Sequence, residues 1–367
     1  MRVLVVNAGS SSVKLSVLDG ERLLATRELS AERAQIDATQ LSAAVSDLGA
    51  VDAVGHRIVH GGARFREAVR VDPYVIRALT ELSALAPLHQ AKSLAALDAV
   101  SRVVGDVPAI ACFDTAFHAT LPAAAYTYAL PRAWCERWGL RRYGFHGLAH
   151  AYAARRGAAL LRRPLEGLRI VTCHLGAGAS LAAVQDGRSV DTTMGFTPLD
   201  GLVMATRAGA VDPGLLLWLL EHTGLSEHEM ASALEHDSGL LALAGGGDMR
   251  TILRDAADGD ARAILALEVY EHRLRASIAA MAAAMGGLDA LVFCGGVGQH
   301  AATVRARAAA GLGFLGLGIA AAVNEHGEDD REITDAGSTV RTLVLEARED
   351  LEIARQVREL LLGSARG

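Results

Sequence analysis

Five charged or ionisable side chains sit where ordinary folding gives them no reason to be. Lys14 follows Ala8-Gly9-Ser10-Ser11-Ser12, a turn with no bulky side chain. Its backbone N–H groups and hydroxyls can approach an anion closely, with Lys14 adding positive charge. Arg57 lies inside the apolar run VDAVGHRIVHGG, where a guanidinium is costly unless an anion meets it. A structural ion pair would meet that need as well as a ligand. Asp114 ends the apolar run IACFD, and a carboxylate at a strand end is a usual place for a site residue; capping of the next turn is the alternative. His146 stands between Phe145 and Gly147, either as a site residue or as a satisfied structural histidine. Arg207 sits in a long stretch rich in Thr, Gly and Pro, and loops of that kind are usually functional. Cations around Gly-rich turns point to phosphate or carboxylate chemistry.

Two histidine pairs have four-residue spacing, His56 with His60 and His146 with His150. The first lies in a strand-like run ending in Gly-Gly, which argues against a metal pair. The second lacks the Glu that a zinc protease motif needs after its first His; Gly147 is there.

The elements that would position these groups are readable. Val3 to Leu18 reads as strand, tight loop, strand, with Asp19-Gly20 turning the chain. The order returns in IVTCHLGAGASLAAVQDG, where His174 answers Asn7, Gly176 answers Gly9 and Asp186-Gly187 answers Asp19-Gly20, at an offset of about 167 residues. That echo suggests a duplicated domain gripping a phosphate chain. Asp72 caps a helix that opens on Pro73. Asp260 to Met285 reads as a long helix with Ile264, Leu267, Leu274 and Ile278 on a core stripe. LDALVFCGGVGQH reads as a buried strand, a Gly-Gly-x-Gly turn and a helix start. Asn324 to Ser338 reads as a solvated loop, and Thr339 to Asp350 as a last strand.

With 367 residues, 51% of them hydrophobic and 21% charged, the chain has material for about two domains. A net charge of −6 and the lack of any long Lys/Arg block exclude a nucleic-acid track. No apolar run reaches membrane-spanning length, and no signal-peptide pattern follows Met1. The scattered Cys112, Cys135, Cys173 and Cys294 read as thiols of a cytoplasmic protein.

Taken in order, NAGSSSVK, GHRIVHGG, APLH, FDTAFH, RRYGFHG, CHLG, VDTTMGFTPLDGL and the TR of MATRAG resemble the acetate kinase family, of the superfamily shared by sugar kinases, heat-shock ATPases and actin. The resemblance covers nearly the whole chain, apart from a shortened region around residues 24–50. It implies an α/β fold of two duplicated actin-like (ribonuclease H-like) domains with mixed sheets around a cleft. The first would take residues 1–120 with 352–367, the second 121–351. It implies transfer of the ATP γ-phosphoryl group to acetate, giving acetyl phosphate and ADP. Arg57, Asp114, His146 and Arg207 would be catalytic, and His146 and Arg207 would stabilise the transition state. Val59, Leu88, Phe145 and Pro198, with Arg57, would hold acetate. Ser10, Ser12, Lys14, His174, Leu175, Gly176, Ala177 and Gly178 would hold the phosphates, with His89 nearby. Asp248, Met249, Arg250, Gly295, Gly296, Val297, Gly298 and Gln299 would take the nucleoside. Asn7 and Glu349 would hold magnesium, or manganese in its place. A homodimer through the second domain is the family's usual assembly.

Three departures fall on the nucleotide and metal side. Ala177 replaces the usual Asn, Gln299-His300 the usual Glu-Asn, and Arg348 precedes Glu349. They imply weaker nucleotide affinity or an altered phosphoryl donor. A short-chain acyl kinase such as a propionate kinase, and a weakly active relative serving as an acyl-phosphate or nucleotide sensor, are the alternatives.

Overall fold

The computed structural model describes residues 1–9, 12–30, 38–82, 87–327 and 330–363. The chain divides into two compact units: Met1–Ala119 with Phe145–Tyr152 and Arg348–Gly367, and Thr120–Gly144 with Ala153–Ala347.

In the first unit the strands are β1 (Arg2–Ala8), β2 (Ser12–Asp19), β3 (Arg22–Ser30), β4 (Ala53–Ile58), β5 (Val69–Arg70) and β6 (Ala109–Phe113), ordered β3-β2-β1-β4-β6-β5. β1, β4 and β6 are parallel and the rest pair antiparallel. Alternation along β1 explains why the sheet is covered on both faces. Leu4 and Val6 pack with Leu41, Ala96 and Val100 from the helices Ala38–Asp47 and Pro87–Val104. Val3 and Val5 pack with Ile353, Ala354 and Val357 from the helix Glu349–Gly363. Each of the buried Val, Leu and Ile side chains contributes about 1.5–3 kcal/mol. The terminal helix approaches so closely that a Cβ at Gly55 would lie 2.5 Å from Ile353 Cγ2.

The second unit repeats the plan with β7 (Arg169–Leu175), β8 (Ala179–Gln185), β9 (Arg188–Thr192), β10 (Ala290–Cys294), β11 (Arg331–Glu332) and β12 (Arg341–Val344), ordered β9-β8-β7-β10-β12-β11. β7, β10 and β12 are parallel, and β8, β9 and β11 are antiparallel to their neighbours. The fold is the duplicated actin-like one that the family resemblance implied, and the duplication is the one the echo suggested.

The echo is one residue out of step in its second half. Ala8 pairs with Val13 across residues 9–12, whereas Leu175 pairs with Ala179 across residues 176–178. The turns therefore match as Gly20-Glu21 and Asp186-Gly187, between Asp19↔Arg22 and Gln185↔Arg188. Asp186 and Gly187 both take positive φ, as a two-residue hairpin turn of that hand requires.

Other expectations are corrected. The expected glycine turn shrinks to Gly295, at φ +77°, with the helix Gly295–His300 directly after β10. The last strand stops at Val344, so Glu349 and Asp350 open the terminal helix. Asn324 is 2% exposed and Ile333 fully buried, so the segment Asn324 to Ser338 is not wholly solvated. Ile264 is 37% exposed, off the buried stripe of Leu267, Leu274 and Ile278. Asp72 does cap the helix Pro73–Glu81, accepting from the N–H of Val75 at 2.7 Å.

Candidate active site

Three parallel strands in the first unit end side by side, and ligands of open α/β sheets gather at such carboxyl ends. β1 delivers Asn7, β4 delivers Arg57, and Asp114 follows β6, its N–H donating to Ile58 O at 3.0 Å. The side chains form one network. Arg57 donates from Nη2 to Asp114 Oδ2 at 2.6 Å and from Nε to both carboxylate oxygens at 3.1 and 3.2 Å. Its Nη1 donates to Asn7 Oδ1 at 3.1 Å, and Asn7 Nδ2 donates to Glu349 Oε2 at 2.7 Å. Asp114 is 1% exposed and Arg57 14%. Burial works against the charge on Arg57, but Asp114 and then Glu349 raise its pKa above the ordinary arginine value. The ion pair and the ligand reading are compatible, because two of the five guanidinium N–H groups are not spent on these bonds.

His146 lies in the same unit and has φ +55°, a left-handed backbone uncommon for any residue but glycine. The turn is fixed on each side. His118 Nε2 is 3.0 Å from Phe145 O, and Gly147 N–H donates to Asp114 O at 2.9 Å. His150 N–H donates to His146 O at 2.9 Å. A Cβ at Gly147 would come within 2.1 Å of Asp114 O, so only glycine fits there. Asp114 thus serves twice, its carboxylate holding Arg57 and its carbonyl holding the His146 turn. Phe145 is buried with the His60 ring edge-on at 5.4 Å, and Val59 is buried too. His60 Nδ1 accepts from Gly62 N–H at 2.8 Å, which places its proton on Nε2.

Ser10 lies outside the described residues. Ser12 and Lys14 are on β2, where Ser12 donates to Glu28 Oε1 at 2.7 Å and Lys14 pairs across the strands with Glu28. Leu88 and His89 fall on the helix Pro87–Val104, their side chains outside the described part of the structure.

In the second unit, a cavity of about 480 Å³ opens beside the β7–β8 hairpin. That is the size of a small-molecule site. Gly176, Ala177, Asp248, Met249, Arg250, Gly296 and Val297 all line it. His300, one of the departures, lines it as well; Leu240, Leu253, Tyr270 and Ala301 line it too, and sequence reasoning missed their part. Tyr270 lies on the long helix Ala261–Ala284, among the stripe read as core. The cavity is largely apolar, with Asp248 and Arg250 as a polar pair: Arg250 donates to Asp248 from Nη2 at 2.6 Å and Nε at 3.1 Å. Those bonds hold the Asp248 carboxyl down at about 2. Gly176 N–H closes the hairpin on Gly178 O at 2.9 Å, and Ala205 N–H donates to Ala177 O at 3.0 Å. His174 Nδ1 is 3.8 Å from Cys294 Sγ. Gly295 takes φ +77°, and a Cβ there would strike Leu175 O at 2.7 Å. Gly298 and Gln299 complete the helix Gly295–His300.

Arg207 and Pro198 lie in the long loop of this unit. Arg207 O accepts from Met204 N–H at 3.1 Å and lies 2.6 Å from where a Gly239 Cβ would be, with Gly239 at φ +62°. Burial lowers the Arg207 pKa, against Glu235, which raises it. Pro198 is half-buried. Arg142 Nη1 ties the loop down, donating to the carbonyls of Thr192, Thr193 and Met194 at 3.0–3.1 Å. Arg348, one of the departures, donates to Asp350 at 2.9 and 3.0 Å.

The sequence profile of the acetokinase family matches residues 30–355. Acetate kinase of Synechococcus sp. is 42% identical over 404 aligned positions, 99% of this chain and 100% of that protein. Acetate kinase of Gloeobacter violaceus is 49% identical over 314, covering 85% of this chain and 77% of that one. Among solved structures, Porphyromonas gingivalis acetate kinase superposes with a TM-score of 0.90 at 35% identity, covering 98% of this chain and 99% of that one. A propionate kinase from Francisella tularensis gives 0.89 at 33%, covering 97% and 98%.

Proposed function

Because the chain belongs to the acetokinase family, we propose that its phosphoryl transfer from ATP to acetate runs through the Arg57 network and the Arg207 and His146 side chains. The acetate carboxylate oxygen attacks the γ-phosphorus in line, the bond to the β-phosphate bridging oxygen breaks, and ADP leaves with that electron pair. No general base is needed, since the carboxylate already carries its lone pair. The obstacle is the meeting of two anions, so positioning and positive charge carry the rate. The two uncommitted N–H groups of Arg57 face that task, for acetate and for the phosphoryl group. Arg207 supplies a second cation and His146 a hydrogen-bond donor. Asp114 acts on Arg57, as a positioning residue.

Magnesium fits the residues present. Glu349 offers a carboxylate held by the Asn7 Nδ2 donor, and this metal is usually bound through one or two carboxylates plus substrate phosphates; Asn7 would join it through Oδ1, which here accepts from Arg57. When bound it would neutralise charge on the ATP phosphates. Arg348 is drawn to Asp350, which leaves the Glu349–Asn7 bond in place despite the new cation. Val59, Leu88, Phe145 and Pro198 are assigned to the acetate methyl group, and the second-unit cavity to the nucleoside. With Ala177 on its wall, nucleotide affinity should be weaker than in a relative carrying Asn there.

The Asp114–Arg57–Asn7–Glu349 network carries this reading. Acyl phosphate formation is measured with ATP, magnesium and acetate for the wild type, Arg57→Ala, Arg207→Ala and His146→Ala. Activity absent from the wild type refutes it in favour of a sensor; full activity in the Arg57 variant removes the role given to the network. The likeness to a propionate kinase favours one second reading, propionate as acceptor, and an acetate-to-butyrate series decides it.

A second copy of the chain is the proposed partner. The helix Pro213–His222 has no buried residue, yet Leu217 and Trp218 are 60% and 53% exposed. Such a face suits a homodimer contact. No described helix is long and apolar enough to cross a membrane, and a cytoplasmic location is proposed with the rest.

A further inference from the structure

The nucleoside cavity owes one wall to the helix Gly295–His300, which contributes Gly296, Val297 and His300 to the lining. That helix has little reason to exist. It is six residues long, three of them glycine, and no side chain caps its start. Gly296 and Gly298 each cost up to about 1 kcal/mol against alanine in a helix, and short isolated helices do not hold in water. At its end the last carbonyls lack partners within the helix.

Arg305 meets those carbonyls. It lies on the next helix, Ala302–Ala310, and at 1% exposure heads the fully buried side chains by volume. Nη1 donates to Gly298 O at 2.9 Å and to Gln299 O at 2.8 Å. Nε donates to Asn324 Oδ1 at 2.7 Å, and Nη2 to Asn324 O at 2.6 Å. Asn324 is itself anchored, Nδ2 donating to Ala302 O at 2.9 Å. The four acceptors are neutral oxygens, three of them backbone. A guanidinium buried against neutral oxygens is an expensive choice, and it suits one purpose well. The C-terminal end of a helix carries partial negative charge, and the planar fork of Arg can hold two adjacent carbonyls at once. Burial lowers the Arg305 pKa to about 10, with Arg331 adding to the effect, so it remains a cation at neutral pH.

We propose that Arg305, aimed by Asn324, is a positioning residue for nucleotide binding: it clamps the glycine-rich wall into helical form so that the cavity is shaped before the nucleotide arrives. Preorganisation of this kind acts on affinity by removing an ordering cost. The assignment rests on the nucleoside reading of the cavity and extends it to two residues that do not line it.

The test uses the full chain with Arg305→Lys, whose single ammonium cannot span both pairs of acceptors, and Asn324→Ala, which keeps the cation but removes its guide. ADP affinity is measured by calorimetry, KM for ATP and for acetate by assay, and amide exchange across residues 290–301. Expected for Arg305→Lys is a loss of about ten-fold or more in ADP affinity, as for a hydrogen bond to a charged group. Asn324→Ala should lose about three-fold, and this milder change serves if Arg305→Lys does not fold. In both, KM for acetate stays within about two-fold, and exchange quickens in residues 295–301 but not in β10, with ADP slowing it again. Unchanged ADP affinity alongside faster exchange of the helix would make the clamp a matter of stability alone and overturn the proposal. So would equal losses for ADP and acetate. If the wild type binds no ADP, the nucleoside reading fails, and the role assigned to Arg305 falls with it.

Discussion

Arg57 and Asp114 show how a costly charge becomes a tool. The pair is deeply buried, and removing one member of a buried pair strands the other at about 3–5 kcal/mol. Asp114→Asn should therefore lower the urea midpoint and also kcat, because Arg57 loses its aim. Arg57→Ala should cost about 10³–10⁵ in kcat, the range seen when a phosphoryl-transfer arginine is lost. A loss below ten-fold in the coupled assay would remove Arg57 from the reaction. Two buried histidines give a pH signature. Burial holds His56 and His60 near 4, against 6.5 for the free side chain. Among the described residues neither ring nitrogen of His56 has a hydrogen-bond partner. Below pH 6.5 the unfolded chain takes up protons that the native imidazoles refuse, so stability falls. The loss levels off below about 4, and above 6.5 these groups contribute no slope. Each is worth on the order of 3 kcal/mol across that window. His56→Leu should flatten the pH dependence of the urea midpoint between those limits.

Among the elements, the terminal helix is the most consequential. A methyl group at Gly55 would collide with Ile353 and Val357. Overpacking of this kind costs about 1–3 kcal/mol. Gly55→Ala should loosen the helix Glu349–Gly363, visible as faster amide exchange there. It should also lower kcat, because Glu349 at the head of that helix loses its bond to Asn7. Loosening with full activity would refute the assignment of Glu349. Where the sequence could be read, the signal was local. Asp72-Pro73 specify a helix start within four residues, and the alternation of β1 gives its two faces. Arg57 stood out because a charge inside an apolar run needs an explanation on the spot. What could not be read depended on distant partners. Asn7 and Glu349 are 342 positions apart. Gly-Gly-Val-Gly suggests a turn until Arg305 is known to hold its carbonyls. The Asp-Gly echo misled by one residue because the second hairpin loop is shorter by one, which pattern matching does not register.

For the whole molecule, the duplicated sheets specialise. The first unit holds the Arg57 network and the His146 turn, and the second holds the cavity and Arg207. If a second copy covers the apolar helix Pro213–His222, then Trp218→Glu with Leu217→Glu should shift the mass by light scattering from dimer to monomer. An unchanged mass would send the interface elsewhere. Acceptor size can be checked on the same full chain. One methylene in an apolar pocket is worth about 1–3 kcal/mol, so propionate should be used less well than acetate and butyrate poorly, as kcat/KM would show. The bond from Asn7 to Glu349 also has a consequence for synthesis. Asn7 leaves the ribosome 342 residues before Glu349. A nascent chain thus lacks the carboxylate that completes the network until every strand of both sheets has been made. Chains released before Glu349 is added should therefore turn over no ATP in the coupled assay.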